Sequence, residues 1–78
     1  MPDAVILRRT DPGRNMARFY RMDVQPDLFG TWRLVRECGR IGQAGQSRQT
    51  VYSSQAEARA ALERQFRVKE KNGYVIVI

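Results

Sequence analysis

The 78-residue sequence predicts an α+β fold, in which one helix packs across one face of an antiparallel sheet in the order ββββαβ. Two observations carry this prediction. Apolar residues alternate with a period of two over residues 16–24 and 31–38, which is typical of half-buried strands. A stretch with helical spacing follows, and a short apolar run comes after it. The length has room for one small domain, which we assign to residues 1–78.

Two strands and a turn are predicted in the first part of the chain. The apolar run at 4–7 becomes polar at Arg8 and indicates a first strand. Residues 10–15 are rich in turn formers, with Pro-Gly at the centre. Alternation over 16–24 predicts the second strand. We expect 25–30 to be a loop, because the proline in it cannot donate a hydrogen bond to a sheet.

A third and a fourth strand follow, joined by a glycine-rich turn. Alternation resumes over 31–38, and polar residues with β-propensity occupy 46–52. Between these strands, Gly39, Gly42 and Gly45 predict a hairpin or bulge in which the backbone adopts positive φ. Arg40 would lie within this turn.

The pattern then changes to that of a helix. Ser54 and Glu57 have the spacing of a capping box, and Asn72-Gly73 is a strong stop signal. A narrow apolar stripe would pack this helix on the sheet: Ala58, Ala61, Leu62 and Phe66. Residues 74–78 predict a last strand, which is apolar on both faces and leaves an open sheet edge. Large aromatic residues are expected in the core: Phe19, Tyr20, Trp32 and Phe66.

The composition excludes most enzyme classes. Histidine is absent, so the chain has no Ser-His or Cys-His pair and no histidine metal ligand, and paired carboxylates are not evident. We therefore expect a non-catalytic protein without a cofactor or metal. The single cysteine cannot form an internal disulfide, and no segment reaches the ~18 apolar residues of a membrane span. We expect a cytoplasmic protein with no membrane partner.

The charge points to an anionic partner. The chain has 14 basic and eight acidic residues, for a formal net charge of +6, and twelve of the basic residues are arginine. The planar guanidinium group binds phosphate well, so nucleic acid is the first partner to consider. The alternative is that arginine serves here as an ordinary solvated surface cation.

Residues 37–46, which read Glu-Cys-Gly-Arg-Ile-Gly-Gln-Ala-Gly-Gln, resemble the signature of the WGR domain. That family is named for a Trp-Gly-Arg triplet, usually followed by hydrophobic-Gly-x-x-Gly-Gln. Other segments resemble the family in the same order, so that the similarity covers about residues 4–75: Asn15–Tyr20, Trp32–Arg36, Ser53–Ala58 and Lys69–Tyr74.

The resemblance implies the same fold and a nucleic-acid-binding function. In eukaryotic poly(ADP-ribose) polymerases the WGR domain binds DNA ends, and in bacteria it also occurs as short standalone proteins. DNA is therefore favoured over RNA, and this chain has no room for a polymerase catalytic domain. The arginine of the triplet corresponds to Arg40, whereas its tryptophan corresponds to Cys38, which offers no stacking face. We expect phosphate contacts with weak sequence specificity.

The predicted binding site is centred on Arg40, beside Gly39, which would let the backbone approach a ligand. Arg36 and Arg48 lie on neighbouring strands with compatible parity. Polar and basic residues nearby complete the set: Gln43, Gln46, Lys69 and Lys71. The alternatives are a solvated or structural Arg40, ordinary polarity for the two glutamines, and lysines that only balance the dipole of the helix C-terminus.

A second function class is also open. The apolar Val75–Ile78 strand at the sheet edge could pair with another chain, which would make the protein a homo-oligomerisation module or a docking module for a larger protein.

Overall fold

A computed structural model describes residues 3–77 as a five-stranded antiparallel sheet with one helix on one face. The strands are β1 (Ala4–Asp11), β2 (Met16–Pro26), β3 (Trp32–Arg40), β4 (Gln46–Tyr52) and β5 (Val75–Ile76), with a 3-10 turn at Pro12–Arg14 and the helix α1 at Gln55–Lys71. Their order across the sheet is β4-β3-β2-β1-β5. The predicted α+β fold with the order ββββαβ is confirmed.

The first three strands extend beyond their predicted ends. β1 continues to Asp11, β2 includes Pro26 as its last residue, and β3 continues through Gly39 to Arg40. These strand ends remain paired with their neighbours, as Asp11 does with Met16. The alternation of apolar and polar residues ends before the strands end. At the strand ends the sheet face is open to water, so the side chains there need not be apolar.

The core lies between α1 and one face of the sheet. Register places its members on the same face, with Val5 opposite Met22 and Leu7 opposite Tyr20. Nine residues are buried: Val5, Leu7, Tyr20, Met22, Val24, Leu34, Ala58, Ala61 and Leu62. Other large residues pack against them and are partly buried: Trp32, Tyr52, Phe66 and Tyr74.

The predicted core position of Phe19 is wrong. Phe19 is half-buried and belongs to the opposite face, because it pairs with Gly39 while its neighbour Tyr20 faces the helix. Two glycines make room for its ring. A Cβ atom at Gly45 would lie 2.9 Å from Phe19 Cζ and 2.5 Å from the Cys38 carbonyl oxygen, and one at Gly39 would lie 2.9 Å from Gly45 Cα.

The glycines of the β3–β4 hairpin therefore have different roles. Only Gly42 of the three has positive φ (88°). Gly39 and Gly45 are required by close contact between the two strands and with Phe19. The prediction that all three serve backbone freedom is thus corrected. Arg40 was predicted in the turn but is the last residue of β3. Its side chain therefore lies on a defined face of the sheet.

Both ends of α1 are capped by local hydrogen bonds. Ser54 Oγ accepts from the Glu57 amide at 3.1 Å, while the Glu57 carboxylate accepts from the amide and hydroxyl of Ser53. At the other end, the Gly73 amide donates to the Glu70 carbonyl and the Tyr74 amide donates to the Lys69 carbonyl, with Gly73 at φ 89°. This is a Schellman motif, and it turns the chain back toward the sheet.

The last strand lies at the sheet edge beside β1. Val75 pairs with Arg8, Ile76 pairs with Leu7, and the Val77 amide donates to the Ile6 carbonyl. The strand was predicted to run through Ile78, which lies outside the described residues. Among residues 3–77, no helix combines the length and the apolar character that crossing a bilayer requires.

Candidate nucleic-acid interface

The helix covers only part of the sheet face on which it packs. Around the C-terminal end of β3, side chains of that face remain accessible. Register places five arginines on it, and we call this surface the basic corner: Arg9, Arg18, Arg36, Arg40 and Arg48. Cys38 and Gln46, which are opposite each other in the register, lie among them.

The five arginines form two rows across the strands. Arg9 of β1 pairs with Arg18 of β2, which pairs with Arg40 of β3. Further along β3, Arg36 pairs with Arg48 of β4. Neighbouring strands are only about 4.8 Å apart, and like charges directly opposite each other destabilise a sheet. A bound anion would relieve this repulsion.

Acidic side chains do not neutralise these arginines within residues 3–77. The ion pairs found there are Arg14–Asp11, Arg21–Glu37, Arg59–Asp3 and Arg67–Glu63. None includes a member of the basic corner. Arg59 also holds the pKa of the Asp3 carboxyl below its usual value, chiefly through their hydrogen bond. The carboxylates that form ion pairs therefore lie outside the basic corner.

Neutral partners hold Arg40 in place. Its guanidinium donates to the Asn15 carbonyl and to Asn15 Oδ1, both at 3.3 Å. These contacts fix the side chain without cancelling its charge. Arg36 differs, since its Nε is buried and has no hydrogen-bond partner among the described residues.

Three adjoining concavities follow the basic corner. The largest, about 640 Å³, lies between β1, β2 and the end of α1. The second, about 370 Å³, shares Arg18 with the first and is also lined by Cys38 and Arg40. The third, about 160 Å³, shares Cys38 and Gln46 with the second and reaches Arg36 and Arg48. Because neighbouring concavities share lining residues, the three adjoin one another, and together we call them the groove.

The C-terminal end of α1 forms one wall of this groove. Lys69 Nζ lies 4.6 Å from the centre of the Tyr20 ring and 5.5 Å from that of the Tyr74 ring, so both rings hold the ammonium by cation–π contacts. Lys71 is exposed and lines the largest concavity together with Lys69.

Most of the predicted site residues come together in this groove. It is lined by Arg36, Gly39, Arg40, Gln46, Arg48, Lys69 and Lys71. Gly39 contributes only backbone atoms. A side chain at this position would collide with the backbone of Gly45. Gln43 lies apart in the β3–β4 turn, where its amide donates to the Arg40 carbonyl at 3.1 Å, and it lines none of the three concavities.

Sequence reasoning missed Arg9 and Arg18, which complete the longer row. A signal for both is present in the sequence. Arg9 has the parity of the buried Leu7, and Arg18 has the parity of the buried Tyr20, so each continues the helix-facing side of its strand.

The lining of the groove suits anions and other hydrogen-bonding ligands. Its polar side chains are cationic, amide and phenolic, with no carboxylate among the lining residues. In the part of the chain that the structure describes, no three His, Cys, Asp or Glu side chains come together as a metal site.

Comparison with known proteins identifies a family and a curated relative. A family model described as the WGR domain matches residues 3–77. A protein of Sinorhizobium fredii, named "Uncharacterized protein y4dW", is 40% identical over 73 residues, which cover 94% of this chain and 36% of that protein. The chain thus spans about a third of the length of this curated relative. No solved structure matches the chain significantly.

Proposed function

Because the chain belongs to the WGR domain family, which is generally a nucleic-acid-binding module and not a catalytic one, we propose that it binds the phosphate backbone of nucleic acid in the cytoplasm. The ligand is DNA in preference to RNA, and sequence specificity is weak. Binding is centred on Arg40 and uses Arg36 and Arg48.

The observation that carries this proposal is the charge of the basic corner. Five arginines share one concave face, and none forms an ion pair within residues 3–77. Guanidinium groups in such an arrangement can each donate to a phosphate oxygen. Contacts of this kind position a protein on nucleic acid but read no sequence.

Affinity for a duplex rests mainly on charge, because the groove exposes little aromatic surface. Its aromatic residues are Tyr20, which is 5% exposed, and Tyr74, which is partly buried. Both rings are engaged by Lys69. The family's signature tryptophan corresponds to Cys38, so an aromatic ring, on which a stacked base gains ~1–3 kcal/mol, is missing at that position. Charge is then the main source of affinity.

We expect binding to a short DNA duplex to weaken steeply with salt, and Arg40→Ala to weaken it about tenfold. One lost charge-assisted contact contributes roughly this factor, and the slope of log affinity against log salt should fall by about 0.9. Fluorescence anisotropy at several salt concentrations measures both quantities.

The matched control is Arg64→Ala, which removes an equal charge from an exposed position of α1 that lines none of the three concavities. Affinity that is independent of salt, or equal losses for the two variants, would contradict the proposed site. An RNA duplex of the same sequence, titrated in parallel, tests the preference for DNA.

A second candidate function rests on the exposed apolar strand at the sheet edge. Val75, Ile76 and Val77 are 65%, 48% and 47% exposed, although each is apolar. We propose as the alternative that this edge pairs with a second copy or a larger protein. If so, light scattering should give a dimer mass for the parent protein and a monomer mass for Val75→Thr/Val77→Thr. A monomeric parent protein that binds DNA would exclude homo-oligomerisation.

A further inference from the structure

Cys38 lies at the centre of the basic corner. On β3 it is two residues from both Arg36 and Arg40, on the same face. It is exposed, and the second and third concavities meet beside it. A small side chain surrounded by long arginines leaves a depression in the floor of the groove.

The lining of this depression suits a flat, polar, uncharged group. Arg36 and Arg48 can offer guanidinium planes, which stack on bases. Gln46 supplies an amide that both donates and accepts hydrogen bonds. The depression has no carboxylate lining.

Phosphate-binding groups lie directly beside it. Arg18 and Arg40 line the same concavity as Cys38, and Arg18 continues into the concavity next to Lys71. A nucleotide whose phosphate contacts these arginines has its base within reach of the depression. A paired base cannot use it, because its faces are covered in the stack, whereas an unpaired base enters at little cost.

We propose that the depression at Cys38 receives an unpaired base of the bound strand, stacked on arginine and hydrogen-bonded to Gln46. This inference rests on the proposed function, and it adds a class of preferred ligand: nucleic acid with an unpaired nucleotide next to a duplex.

A comparison of three ligands tests the proposal: a blunt DNA duplex, the same duplex with a short unpaired overhang, and the same overhang made abasic. The abasic overhang keeps the phosphates and removes only the bases. We expect the base-bearing overhang to bind about tenfold more tightly than the abasic one, as a single stacked base allows. Equal affinities for these two would overturn the proposal.

Two substitutions at Cys38 then locate the effect. Cys38→Ile fills the depression with a side chain that suits a strand, carries no charge and has no stacking face. It should remove the preference for the base-bearing overhang over the abasic one. Cys38→Ser, which keeps the size of the side chain, should retain the preference. Retention of the full preference by Cys38→Ile would place the base elsewhere and refute the assigned site.

The same titrations separate this proposal from the function on which it rests. If the parent protein binds none of the ligands with salt dependence, the proposed function fails. If it binds all three equally and with a steep salt dependence, only the base site fails. A free nucleoside monophosphate that competes at the same affinity as the overhang would assign the depression to a soluble nucleotide and overturn the assignment to a strand.

Discussion

A variant with Arg18→Gln and Arg40→Gln is expected to bind a DNA duplex about a hundredfold more weakly than the parent protein. The two residues are register partners in the longer arginine row and line the same concavity. Each lost charge-assisted contact costs about a factor of ten, and the two losses should nearly add if each arginine holds its own phosphate. Anisotropy titrations at fixed low salt measure the change.

The matched control is the double variant Arg8→Gln/Arg64→Gln, which lowers the formal net charge of +6 by the same two units. Arg8 faces the other side of the sheet and Arg64 is exposed on α1. The substitutions relieve the Arg18–Arg40 repulsion but also remove the two exposed hydrogen bonds from Arg40 to Asn15, so we expect little net change in stability. Thermal unfolding checks that weaker binding is not unfolding. Equal affinities for the two double variants would show that net charge, and not the basic corner, drives binding.

Leu62→Ala is expected to lower the free energy of unfolding by about 2–5 kcal/mol. Leu62 is 0% exposed and packs α1 on the sheet, so the shorter side chain leaves a cavity. A domain of this length has a total stability of only about 4–12 kcal/mol, so the variant should be substantially unfolded at moderate urea concentrations. Urea denaturation followed by circular dichroism gives the midpoint and slope.

Val68→Ala on the same helix is the control for this core variant, because Val68 is 49% exposed. Alanine also favours the helix slightly, so we expect a change within about 0.5 kcal/mol. A Leu62→Ala protein as stable as Val68→Ala would mean that α1 does not pack on the sheet as described.

The buried face of each long strand could be predicted from the sequence, and so could the position of the helix. Alternation around Tyr20, Met22 and Val24 assigns the buried face of β2 correctly, because one face of this strand packs on α1. Ser54 and Gly73 mark the two ends of the helix through local hydrogen bonds that any surrounding fold would preserve. Features of this kind depend on residues that are neighbours in the chain.

The features that sequence reasoning missed depend on contacts between distant segments. Phe19 has a large apolar side chain, but the space for it is created by Gly45, which is 26 residues further along the chain. The extent of the basic corner depends on how far α1 extends over the sheet, which fixes the part of the face left open. Periodicity within a strand carries no information on that coverage, so Arg9 was not recognised as part of the site.

The pairing of β5 with β1 has a consequence for how such a domain can be carried by a longer polypeptide. These strands are antiparallel neighbours, so Ala4 and Val77 lie at the same corner of the sheet. Arg9 and Arg40 lie toward the opposite end of their strands. A polypeptide tethered at either point would leave the molecule away from the groove. The domain could thus be inserted into a host loop or added in tandem without covering the groove.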